Sequence, residues 1–136
     1  MNILFHAHSG LRFLVLLAAL VDVVYFSYAL GRSLPNNRAA RVLTAVFVGL
    51  LDLQVLLGIA LMATGIYYGA LMGHVMMMVL ALIVAHVASV LARKDPVAKR
   101  AYWIRLLGAL VPLVLIIGGI LAIGRSVLGV GTLGGA

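Results

Sequence analysis

Four long apolar runs separated by short polar breaks organise this chain. Each run is about the twenty residues that a helix needs to cross a hydrocarbon layer. The pattern predicts helices over 11–30, 42–64, 70–91 and 106–123. Gly31-Arg-Ser-Leu-Pro35-Asn-Asn-Arg38 ends the first, because glycine and proline break helices and asparagine favours turns. Gly65-Ile-Tyr-Tyr-Gly69 ends the second, with paired tyrosines suited to a membrane–water interface. Arg93-Lys-Asp-Pro96 closes the third, and Tyr102-Trp103 precedes the fourth at a second interface. Residues 124–136 hold five glycines and read as a flexible tail. With loops this short, the expected fold is all-α: a single domain over 1–136, an integral membrane up-down-up-down four-helix bundle.

Composition supports this reading. Of the 136 residues, 65% are hydrophobic and 10% charged, far below the quarter or so that is usual for soluble domains. The net charge of +7 would point to nucleic acid in a soluble protein. Here the basic residues flank apolar runs, so topology accounts for them and nucleic-acid binding is not expected. The breaks after the first and third runs, with their flanks, hold Arg32, Arg38, Arg41, Arg93, Lys94, Lys99, Arg100 and Arg105, against Arg12 and Arg125 at the other side. The positive-inside rule then places both termini on the outer side. The N-terminal run is too long for a signal peptide and is interrupted by Asp22, so it reads as a retained transmembrane helix. The chain has no cysteine, which excludes disulfides, thiolate catalysis, iron–sulfur clusters and covalent haem attachment.

The candidate chemistry lies in the few polar residues within the apolar runs. At about 100° per residue, His8, Arg12 and Asp22 share one face of the first helix. Polar groups are costly in hydrocarbon, so that face should meet protein, water or a cofactor. His8 and His74 lie toward the same end of two helices expected to sit diagonally in the bundle. Two imidazoles across a bundle core can hold a haem iron from both sides, with Arg12 placed for a propionate. Counted from the basic loops, His8 is 24 residues from Arg32 and His74 is 19 from Arg93. That difference is about 7 Å along a helix. His6 points about 200° away from His8 on a helix and offers an alternative surface metal site with His8 and His74. Asp22, Asp52 and His86 lie at similar depth and are expected to form a buried polar cluster near Gln54, holding helices together or relaying protons. Asp52 and Gln54 are themselves about 200° apart, so one core cannot take both. One of them should face a neighbouring chain, another subunit or a ligand. The fourth helix carries no ionisable residue between Arg105 and Arg125, and Gly118-x-x-x-Ala122 reads as a packing stripe. A short match between 56–61 and 116–121 hints at internal duplication.

His8-Ser-Gly-Leu-Arg12-Phe-Leu-Val-Leu-Leu, Leu51-Asp-Leu-Gln54-Val-Leu-Leu-Gly58 and Gly73-His74-Val-Met-Met77 resemble a family of small bacterial four-helix membrane proteins often labelled cytochrome b-like. The matching positions are His8, Arg12, Gln54 and His74; where that family often carries a histidine ahead of the helix 2 glutamine motif, this chain has Asp52. The resemblance implies a multi-pass protein of the bacterial inner membrane. Residues and resemblance together lead to one expectation: a b-type haem protein for electron transfer, with quinone as a partner and His8 and His74 as axial ligands. Two alternatives stand beside it. One is a cofactor-free accessory subunit, packed in a homo-oligomer or larger membrane complex through the Asp52/Gln54 face or helix 4. The other is a small proton or cation conduit. Soluble hydrolase chemistry has no motif to support it.

Overall fold

The computed structural model describes residues 2–129. They form four helices, α1 (Asn2–Gly31), α2 (Arg38–Ala63), α3 (Gly69–Lys94) and α4 (Ala98–Ala122). All four are long and apolar enough to cross a membrane. The chain is an all-helical bundle and a multi-pass membrane protein.

The helices are longer than the apolar runs. α1 begins at Asn2 rather than near Leu11, so His6 and His8 lie within it. α3 runs on through Lys94, and α4 starts eight residues before Leu106. In α3 and α4 the extra turns carry charged residues that end the apolar runs, among them Arg93, Lys94, Lys99 and Arg100. Asn37 caps α2, its side-chain oxygen accepting from the Ala40 N–H at 2.8 Å. Its amide also donates to the Tyr25 hydroxyl at 2.8 Å, tying the α1–α2 turn to α1.

Around the bundle the order is α1, α2, α3, α4, with α1 and α3 on one diagonal. Alanine dominates the interior: Ala19, Ala29, Ala40, Ala81, Ala85, Ala92, Ala101 and Ala109 are all buried. Small residues let membrane helices approach closely, which replaces the hydrophobic drive that lipid cannot supply. The α3–α4 contact is the tightest, because Gly108 packs directly on Ala88. Gly119 packs on Met77 and Met78. The expected Gly118/Ala122 stripe does not serve this role: a side chain at Gly118 would meet nothing, and Ala122 is exposed. The helix turns about 100° per residue, so the small face falls one position later, at Gly119. Arg105 also departs from expectation. It is buried within α4 near Tyr102 rather than flanking the loop. Tyr102 is anchored by its hydroxyl, which donates to the Pro35 carbonyl at 2.9 Å.

α2 and α3 are the most loosely joined neighbours in the ring. The interior near the histidine end is accordingly not filled by side chains.

Candidate functional site: a histidine-walled cavity

A cavity of about 520 Å³ lies between the helices at the end carrying His8 and His74. Its volume falls within the range usual for cofactor and ligand sites. α1 supplies His8, Ser9 and Arg12; α2 supplies Gln54, Gly58 and Ile59; α3 supplies His74, Met78 and Val79; α4 supplies Ile116 and Ile120. The walls are mainly apolar and hold no carboxylate.

The two imidazoles face each other across the diagonal, with ring centroids 6.5 Å apart and planes at 82°. Each is held through Nδ1 by a backbone carbonyl of the following helix. His8 Nδ1 lies 3.1 Å from the Gln54 oxygen, and His74 Nδ1 lies 3.1 Å from the Gly119 oxygen. A carbonyl only accepts, so both rings carry their proton on Nδ1 and leave Nε2 unprotonated when neutral. Neither Nε2 has a protein hydrogen-bond partner among the described residues. The arrangement repeats between the two hairpins: each first helix provides a histidine, and each second helix provides its carbonyl.

Small residues make room for these rings. Gly58 lies against His8, where an added Cβ would sit 3.2 Å from Cε1. Gly119 lies against His74, where an added Cβ would sit 3.3 Å from Nδ1. Gln54 fixes His8 a second time, its amide donating to the His8 carbonyl at 2.8 Å. The real helix ends reduce the expected 7 Å offset in depth to about 4.5 Å. His8 is 23 residues from the end of α1 and His74 is 20 from the end of α3.

Two guanidinium groups border the cavity. Arg12 is 7% exposed, its Nε has no partner, and its Nη2 donates to the Gly129 carbonyl. Arg125 also lines the cavity and stacks over Phe5 at 5.2 Å. Arg125 was not a sequence candidate for this site. The segment after α4 read as a loose tail, yet Val127 packs on the core and Gly129 meets Arg12. The remainder of that tail, 130–136, lies outside the described residues.

The other polar candidates do not assemble as expected. His86 Nε2 and Asp52 Oδ1 are 2.7 Å apart, but the side chains are 49% and 42% exposed on the outer α2–α3 seam. Asp22 is buried on α1, and no hydrogen bond joins it to that pair. Gln54 belongs to the cavity instead. The buried cluster is therefore split in three: similar depth along a helix does not fix the side of the bundle that a residue faces. His6 is exposed beside Phe5 and does not line the cavity with His8 and His74. Among the described residues, no group of three or more histidines and acids could hold a metal ion.

The site defines a membrane bundle with an internal, histidine-walled and cation-rimmed cavity. No protein-family model, curated protein or solved structure matches the chain.

Proposed function

We propose that this chain is a membrane-embedded b-type haem protein that transfers electrons, with His8 and His74 as the axial ligands. The observation that carries this is the facing imidazole pair, each ring fixed through Nδ1 on a carbonyl. Imidazole nitrogens hold metal ions at about 2.0 Å, so two rings sharing one ion through Nε2 have centroids on the order of 6 Å apart. The 6.5 Å separation fits that arrangement. The rim fits as well. An apolar cavity with two guanidiniums and no acid suits a flat apolar ligand carrying carboxylates, and the unpartnered Arg12 Nε is a donor to spare.

Haem bound there would supply one-electron chemistry. The chain's own residues set the conditions for it. Gln54 and Gly119 carbonyls fix the tautomer and direction of the two rings, which raises their basicity as ligands. Val15, Leu51, Ile116 and Ile120 keep water from the inner end of the cavity. Arg12 and Arg125 would hold the carboxylates of such a group at the bundle end, where both termini would face the outer side of a bacterial inner membrane.

Purified protein expressed with ample haem should be red, with a Soret band, and His8→Ala or His74→Ala should each remove the low-spin spectrum. A colourless wild-type preparation, or a spectrum unchanged in both variants, would overturn the reading. The cofactor-free accessory subunit has one observation in its favour, the half-exposed Asp52–His86 pair on the seam.

A further inference from the structure

The Asp52–His86 pair is a polar station on a surface otherwise built for lipid. Its neighbours Leu53, Leu56, Ile83 and Val87 are all exposed and apolar. Ionisable groups placed in hydrocarbon are expensive to keep, and mark a function by default. The pair is joined through Nε2 and Oδ1 only. Asp52 Oδ2 and His86 Nδ1 have no protein partner among the described residues and remain for something that arrives from the membrane.

The pair also has a definite relation to the cavity. Asp52, Val55 and Ile59 follow one face of α2, at spacings of three and four residues. Val79 and His86 are seven residues apart on one face of α3. Val55, Ile59 and Val79 all line the cavity, and Ile59 and Val79 are exposed. The cavity therefore opens along the same seam, about 10 Å from the pair.

We propose that the Asp52–His86 pair on the α2–α3 seam binds the polar head of a lipid-dissolved hydroquinone. The chemistry matches at each atom. Asp52 Oδ2 accepts from a ring hydroxyl, and His86 donates Nε2–H to Oδ1, which holds the carboxylate in place; Nδ1 of the neutral ring is a second acceptor. The apolar side chains along the seam take the ring face and tail, and the seam is reached directly from the bilayer. The inference names a partner for the electron-transfer reading, but binding at the pair does not need an occupied cavity, so the two are tested apart.

The probe is an azido-hydroquinone photolabel kept reduced under argon, used on the full chain in quinone-free phosphatidylcholine nanodiscs, with labelled peptides mapped afterwards. Label should fall on the α2 and α3 peptides around Asp52 and His86, and an unlabelled short-chain hydroquinone should compete it away. Asp52→Asn and His86→Ala should each reduce labelling about tenfold, the loss expected for one hydrogen bond to a charged group. Asp52→Asn preserves shape, and its helical circular dichroism reports that the bundle is intact. His74→Ala should label like wild type while losing the haem spectrum; if the wild-type chain labels but binds no haem, the seam site stands and only the haem reading falls. Labelling that resists competition, or is equal in Asp52→Asn, His86→Ala and wild type, would overturn the proposal. So would shielding of the seam by a second copy, seen as efficient oxidative cross-linking of Leu53→Cys chains in this cysteine-free protein.

Discussion

Gly58 offers the sharpest test of what the cavity is for. It sits inside α2, where glycine is less favourable than alanine by about 1 kcal/mol. Were its role confined to the helix, Gly58→Ala would stabilise the protein by that amount. The structure predicts a different result. The new Cβ would lie 3.2 Å from His8 Cε1 and 3.7 Å from Nδ1. Ordinary carbon contacts lie at about 3.5–4.0 Å, so the ring must retreat by about 0.4 Å. The ring is held by the 3.1 Å contact between Nδ1 and the Gln54 oxygen. A retreat of that size stretches the contact to about 3.5 Å, the edge of a real hydrogen bond.

A ligand ring that loses its orienting partner typically loses about tenfold to a hundredfold in metal affinity. Gly58→Ala should therefore weaken haem binding by about tenfold. Gly58→Val should abolish it. The assay is a haem titration followed at the Soret band, run beside thermal unfolding of the haem-free protein. Gly49→Ala is the internal control. It lies on the same helix, and its Cβ would meet nothing within 4 Å. It should gain the helix propensity and leave the titration unchanged. If Gly58→Ala and Gly49→Ala bind haem equally well, His8 is not held in place for a ligand, and the argument from the carbonyl partners fails.

Two further expectations concern the basic end. Asn37→Ala removes the cap of α2 and the amide bonded to Tyr25, so it should lower stability in detergent by about 1 kcal/mol without touching the haem spectrum. Asp95 lies in the α3–α4 turn, where hydrogen bonds from the Arg100 side chain and the Val97 N–H hold its carboxyl below the usual range. A carboxyl depressed in the folded state stabilises above its unfolded pKa and loses that contribution as pH falls through its folded value. Unfolding midpoints measured from neutral pH down to pH 3 should thus fall less steeply in Asp95→Asn than in wild type.

How much of this was legible beforehand depends on the range of the interaction involved. The four helices are written in runs of apolar residues, and the diagonal placement of His8 and His74 follows from short loops. The helix ends were misplaced because charged residues such as Arg38, Lys94 and Arg100 belong to the helices while ending the apolar runs. The partners of the two rings were out of reach. They are backbone carbonyls, which every residue carries, and only the pairing of α1 with α2 and α3 with α4 selects Gln54 and Gly119. Arg125 was missed for a related reason: glycine-rich sequence carries no periodicity from which docking can be read.

Asp52 and Gln54 show where periodicity alone succeeds and where it stops. Their spacing establishes that one helix turns them to opposite sides, and that is what happens. It does not say which side is which. Packing decides, because Gln54 can donate its side-chain N–H to the His8 carbonyl only from within, where it also shares the cavity wall with Arg12. With that place taken, Asp52 is turned outward and finds His86 at the seam. The same two-residue step that secures His8 thus turns a carboxylate outward at the seam. The cavity inside the bundle and the polar pair on its face are consequences of one helix rotation, and a variant that rotates α2 should disturb both together.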